Sequence, residues 1–342
     1  MDDKSDTGDS TQKTNKLPTH VYQFKKNRCS KDMFVSLRWA ALLCTGTLVY
    51  GSYSTFVNLC EVDGKIPFNS SSVVLMMEIG KFLVSAILLH ASGYELHPPS
   101  LSLCLPFALP AVLYFINNNL AVHMQLQMDP ASYQVLSNLK IVSTAILYRL
   151  IIKRNLSLNQ WLSVGILTFA GFCNSYGGLQ EKGEMKTAGE IHVTILGLVM
   201  MVIYCTLSGL AGVATEYILK KNVVMSLHYQ NILLYMFGIV INFCSWFLQE
   251  MDHPKTESQF HPFRGYSVFT WMIVVTQATN GLIMSVIMKH ASNITRLFVV
   301  SCAMLVATGL SVSVFNTRIN SFFVLSLILV LVALCLYHID RK

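Results

Sequence analysis

"YFINNNLAVHMQLQMDPASYQVLSNLKI" (residues 114–141) joins the end of one apolar run to the start of the next. Within it stand three consecutive asparagines (Asn117, Asn118, Asn119), two tyrosines (Tyr114, Tyr133) and a cation, Lys140. Amides and charges are costly in lipid and are kept where they face a partner or a water-filled cavity. This stretch therefore reads as two neighbouring membrane segments whose polar side chains turn inward.

The rest of the chain agrees. Of its 342 residues, 53% are hydrophobic and 13% charged, and the mean hydropathy is +0.50. A soluble protein carries about 25% charged residues. A bilayer helix needs about 20 apolar residues, and about ten such segments follow one another: 33–57, 73–92, 104–126, 131–152, 159–178, 192–219, 228–248, 267–289, 294–314 and 320–338. The fold class is all-α, a polytopic membrane protein with ten transmembrane helices. The short loops leave no room for a separate soluble domain.

Residues 1–32 are polar and mixed in charge and read as a disordered cytosolic tail. Residues 339–342 form a short cytosolic C-terminus. No apolar stretch with a cleavage site precedes the first segment, so no signal peptide is expected. The terminal "YHIDRK" does not match a KDEL-type signal.

The net charge of +7 could suggest nucleic acid, but its distribution points to orientation. Lys25, Lys26, Arg28 and Lys31 precede the first segment. Arg149, Lys153, Arg154, Lys220, Lys221, Lys289, Arg341 and Lys342 fall on that same side. The positive-inside rule then puts both termini in the cytosol and leaves no nucleic-acid partner. The nine cysteines include no Cys-x-x-Cys pair, so neither a zinc site nor a redox motif is signalled. Asn69-Ser70-Ser71 is a sequon in a short lumenal loop.

Ten segments divide into a first repeat of five (33–178), a lumenal connecting loop (179–191) and a second repeat of five (192–338). A half with an odd number of spans must enter the membrane opposite to its partner. The expected plan is thus a 5+5 inverted repeat, as in many secondary transporters, with a site near mid-membrane. "DPASYQVLSNLK" and "HASNITRLF" echo each other faintly and put Lys140 and Arg296 on equivalent segments.

Lys140 lies about nine residues into its segment, and no acid shares that segment beyond Asp129 at its mouth. It is either neutralised by a carboxylate from elsewhere or binds an anion. Glu78 and Lys81 stand i, i+3 and form a self-satisfied pair or a site. Arg296 is less than one turn into its segment, so it either snorkels to the surface or faces inward. Glu216, near a segment end, reads as an interfacial charge. Tyr114, Tyr133 and Tyr235 are belt aromatics or a platform for a base. The three asparagines cannot all point one way, because successive helix residues point about 100° apart, so at least one is expected to face the interior.

No enzyme is expected. There is no phosphate-cradling Gly-rich loop ending in Lys-Ser/Thr and no His-Glu-x-x-His, and His123 and Asp129 make no catalytic pair. No cofactor or metal is implied.

"YFINNNLA", "DPASYQVLSNLKI", "EIGK", "SGLAGVATE", "YQNILLY" and "ASNITRLF" resemble the Golgi nucleotide-sugar transporters, the group of the CMP-sialic acid and UDP-galactose carriers. The resemblance runs from about residue 35 to 335. It is nearest the branch linked to CDP-ribitol and named for UDP-sugars. It implies a ten-helix drug/metabolite-transporter fold in the Golgi membrane, and exchange of a nucleotide sugar for a nucleoside monophosphate. On the family's pattern the phosphate-binding cations fall on Lys140 and Arg296. The nucleoside contacts fall on Tyr114, Asn118, Tyr133, Asn231 and Tyr235, the segment-two acid and base on Glu78 and Lys81, and a small polar contact on Ser208. Arg296 stands where close relatives have lysine. Asn138 and Asn117 stand where relatives carry glutamine. The expected cargo is CDP-ribitol first and a UDP-sugar second. The rivals are another carrier of this fold, for example for a sugar phosphate, and a non-transporting membrane scaffold. Homo-oligomers and complexes with other family members are open.

Overall fold

The computed structural model describes residues 19–61, 66–93, 100–124, 127, 130–182, 194–222, 225–252, 262–315 and 320–339. The tail over 1–18, most of the connecting loop (183–193) and residues 340–342 lie outside the described residues. The helices are α1 (Thr19–Cys60), α2 (Ser70–Ala91), α3 (Leu101–Met124), α4 (Pro130–Leu136), α5 (Lys140–Ile151), α6 (Leu158–Lys182), α7 (Ile195–Lys221), α8 (Leu227–Asp252), α9 (Val268–His290), α10 (Asn293–Phe315) and α11 (Ser321–Ile339). The chain forms two compact units, Met1–Cys44 and Thr45–Lys342. The first is the leading part of α1; everything below concerns the second.

Every backbone polar group must be satisfied internally in lipid, so apolar segments become helices. Among the described residues, eight helices are long and apolar enough to cross a membrane. The other two expected spans differ for local reasons. Segment four is broken: α4 and α5 are separated by a 3-10 turn, Ser137–Leu139. At the break the Asn138 amide donates to Gln134 O and Val135 O, both at 3.1 Å, and to Ser175 Oγ at 3.1 Å. Such bonds compete with the helix ladder. Segment five is α6, 25 residues long but polar at its ends. The first helix begins at Thr19, inside the stretch read as disordered tail, because extending a formed helix adds a hydrogen bond per residue.

The helix pairings show how the halves interlock. α2 packs along α8 and α6 along α11; α3 touches both α7 and α8, α5 touches α7, and α9 touches α2. Exchanging the halves turns α3–α8 into α9–α2 and leaves α2–α8 and α6–α11 in place. The remaining counterparts run through α1. A Cβ at Gly46 would meet Ile283 of α9 at 3.0 Å, and one at Gly51 would meet Ala303 O of α10 at 2.7 Å. The mirror of the second contact is Gly209 of α7, 3.0 Å from Thr144 Cα of α5, and that of the first is the α3–α7 packing. The two halves therefore do not separate as contact units.

Loop contacts also sort by side. Lys220, ending α7, donates to Ala291 O beyond α9, and Lys289, ending α9, donates to Met225 O beyond α7. At the other end Ser71 meets Gln249, Ser72 meets Tyr266 and Asn320 meets Gln180. Gly265 (φ +74°) lies against the Pro67 carbonyl, where a side chain would not fit. Asn69 caps α2 through its Oδ1, which accepts from Ser71 N at 2.8 Å.

Candidate functional site

Two cavities sit side by side in the interior. The first, of about 270 Å³, is walled by α2, α3, α8, α9 and α10, with Tyr50 from α1 and Thr215 from α7. It gathers six of the expected residues: Glu78, Lys81, Tyr114, Asn118, Tyr235 and Arg296. Lys81 Nζ lies 2.5 Å from Glu78 Oε1 and 4.6 Å from the centre of the Tyr235 ring. The pair satisfies itself and also lines the cavity. Two glycines make room for it. A Cβ at Gly238 would come within 2.8 Å of Glu78 Oε2, and one at Gly281 within 2.6 Å of Lys81 Cδ.

Arg296 does not snorkel. Its Nη1 donates to Asn293 Oδ1 at 3.1 Å and approaches Tyr114 Oη at 3.4 Å. Among the described residues no carboxylate lies within ion-pair distance of it. The nearby acid, Glu216, is engaged elsewhere. Glu216 is fully buried rather than interfacial; it accepts from the Asn293 backbone N–H at 2.6 Å and pairs with Lys220 at 2.6 Å. It thereby neutralises an orphan donor at the start of α10.

The second cavity, of about 420 Å³, lies between α1, the broken segment α4–α5, α6 and α10. Lys140 lines this one, not the first. Its ammonium has no carboxylate partner among the described residues, so the neutralised reading finds no support. Arg296 is its electrostatic neighbour. The two cations thus line two adjoining pockets, Arg296 the first and Lys140 the second. α10 presents Arg296 to one and Leu297 to the other, and α1 presents Tyr50 and Ser54 likewise.

The remaining expected residues stand apart. Asn231 is buried one layer behind the first cavity, donating at 2.9 Å to Ser285, which lines it. Tyr133 lines neither cavity: its ring lies 5.9 Å from Tyr204, in a cluster with Met124 and Met201. Ser208 lines neither cavity. The three asparagines diverge as 100° steps require. Asn117 is buried, Asn118 lines the cavity, and Asn119 bonds back to Phe115 O at 2.9 Å. Residues not anticipated include Tyr50 and Asn280 in the first cavity and Asn58, Gln134 and Asn174 in the second. The only signal for them was a polar residue in an apolar run. No group of three His, Cys, Asp or Glu able to hold a metal occurs among the described residues.

The two cavities are lined by helices of both halves, aromatic and amide on one side, amide and hydroxyl on the other, and among the described residues each holds a cation without a carboxylate partner. The nucleotide-sugar transporter family model matches residues 36–338.

The chain belongs to the nucleotide-sugar transporter family.

A Xenopus tropicalis protein named "Probable UDP-sugar transporter protein SLC35A4" is 42% identical over 311 residues, covering 90% of this chain and 94% of its own. The human protein of that name is 39% identical over 315 residues, covering 89% and 95%. A solved crystal structure, 11% identical, superposes with a TM-score of 0.62 over 88% of this chain and 99% of its own, which shows the shared fold. This transporter is accordingly a multi-pass membrane protein and not an enzyme.

Proposed function

We propose that this transporter is a Golgi-membrane antiporter, with both termini in the cytosol, that imports a pyrimidine nucleotide sugar into the lumen in exchange for a nucleoside monophosphate. CDP-ribitol ranks first, on the resemblance. UDP-sugars rank second, supported by the names of the relatives. One observation carries the reading: two cations without carboxylate partners among the described residues, Lys140 and Arg296, stand at adjoining cavities, one of which is lined by three tyrosines and Asn118. Phosphates need the cations, and a base needs flat faces and amides. Glu78 and Lys81 cancel each other's charge, so Arg296 sets the charge of the first cavity.

The test is a thermal-shift screen of the purified full chain. A ligand that binds only the folded state stabilises it by about 2.7 kcal/mol at one hundred times its Kd. CMP, UMP and their sugar or polyol conjugates should raise the melting temperature, and free sugar phosphates should not. Stabilisation by sugar phosphates alone would favour the rival carrier.

A further inference from the structure

Resting on the nucleotide-sugar reading, we propose that the second cavity, on the Lys140 side of α10, is the subsite for the neutral polyhydroxylated end of the cargo. Asn58, Gln134, Asn174, Ser301 and Thr308 are its recognition residues. The first cavity then holds the nucleoside.

The lining chemistry separates the two. The first cavity contains Tyr50, Tyr114, Phe115 and Tyr235. Among the described residues lining the second there is no aromatic ring, so none of them can stack a base. Its polar surface is instead four amides (Asn58, Gln134, Asn138 and Asn174) and a set of hydroxyls. Amides and hydroxyls both donate and accept, which suits vicinal OH groups. Among the described residues lining it Lys140 is the one that carries charge, and Arg296 of the neighbouring cavity acts on it electrostatically. A diphosphate at that junction would occupy Lys140 and leave no cation for an acidic sugar, so the class is uncharged.

Unspent hydrogen-bonding capacity points to a ligand. The Thr55 and Ser301 hydroxyls are buried without any partner. Buried polar groups are normally satisfied, and orphans need an explanation. Ser301 is 1% exposed. Asn174 Oδ1 receives one long bond, 3.4 Å from Thr308 Oγ1, while the Asn138 amide is consumed at the helix break. Asn138 therefore shapes the pocket, and the others read the cargo.

Continuity completes the argument. Tyr50 and Ser54 are one turn apart on α1, and Arg296 and Leu297 are adjacent on α10, each pair split between the cavities. An extended conjugate can lie across that boundary with its phosphates at the two cations.

The experiment uses full-length protein in liposomes preloaded with CMP or UMP. It compares uptake of labelled CDP-ribitol and UDP-N-acetylglucosamine with exchange of the labelled monophosphate. The variants are Thr308→Val, which keeps shape and loses the hydroxyl, and Asn174→Leu. A sugar hydroxyl left unpaired should lower the ratio of conjugate uptake to monophosphate exchange about tenfold in each. CMP or UMP thermal protection reports folding in both variants. Wild-type conjugate uptake with an unmoved ratio in both variants overturns this subsite alone. Wild-type monophosphate exchange with no conjugate uptake overturns the proposed cargo as well.

Discussion

Arg296 holds its guanidinium on two neutral oxygens, Asn293 Oδ1 and Tyr114 Oη, and so keeps its charge available. Removing a charged partner from a desolvated site costs about 2–5 kcal/mol, on the order of 30-fold or more in affinity. Arg296→Ala and Lys140→Ala should each weaken nucleoside monophosphate binding by at least that factor in a calorimetric titration, with expression retained. Arg296→Lys should fall between wild type and alanine, because a point charge cannot fork between two oxygens. Equal affinity in wild type and both alanine variants would remove the phosphate role. These two cations were legible in the sequence because a charge within an apolar segment demands a reason. What sequence position does not give is the direction a side chain faces. Glu216 looked interfacial by depth, yet it is fully buried against the start of α10. Tyr133 sits in the same stretch as Lys140, yet its ring turns toward Tyr204 and away from both cavities.

At the scale of elements, the ends of α7 and α9 are cross-tied at one membrane face. Lys220 donates to Ala291 O at 2.6 Å and Lys289 to Met225 O at 3.0 Å, while Glu216 anchors α10 between them. Lys220→Met leaves a fully buried carboxylate without its cation and should cost about 3–5 kcal/mol. Glu216→Gln keeps an acceptor for the Asn293 N–H and should cost less, about 1–3 kcal/mol. Melting temperatures in detergent should follow that order; the reverse order would mean the pair is not the element that holds this end. Close helix contacts give a second prediction. Gly51→Val would force side-chain atoms into Ala303 O and Val306 of α10, an overpacking of about 1–3 kcal/mol. A melting temperature equal to wild type would contradict that contact. The ten segments could be read from apolar runs alone, whereas the break at Ser137–Leu139 could not. It depends on Asn138 reaching Ser175 on α6 and on Gly171 leaving room, since a Cβ there would lie 2.5 Å from Asn138 Oδ1.

For the whole molecule, the exchange of helix pairs between halves and the sorting of loops by side fit alternating access around a fixed central site. Lys220, Lys221 and Lys289 belong to loops on one face, where the charge asymmetry expects the cytosol. Tags on either terminus should be stained when only the plasma membrane is permeabilised. Staining of one terminus solely after the Golgi is opened would reverse the topology. A nucleoside diphosphate conjugate carries about two negative charges, and a monophosphate about 1.5–2 near neutral pH, so the proposed exchange would be nearly electroneutral with one pair of cations serving both. Liposomes containing the purified chain, preloaded with CMP, with UMP or left empty, and offered labelled CDP-ribitol, UDP-galactose or UDP-N-acetylglucosamine, test that exchange directly. Uptake of a conjugate that requires internal monophosphate, with CMP driving CDP-ribitol best, is the predicted result. Equal uptake into empty and preloaded liposomes would contradict antiport, and uptake driven by UMP but not CMP would reverse the ranking of cargo.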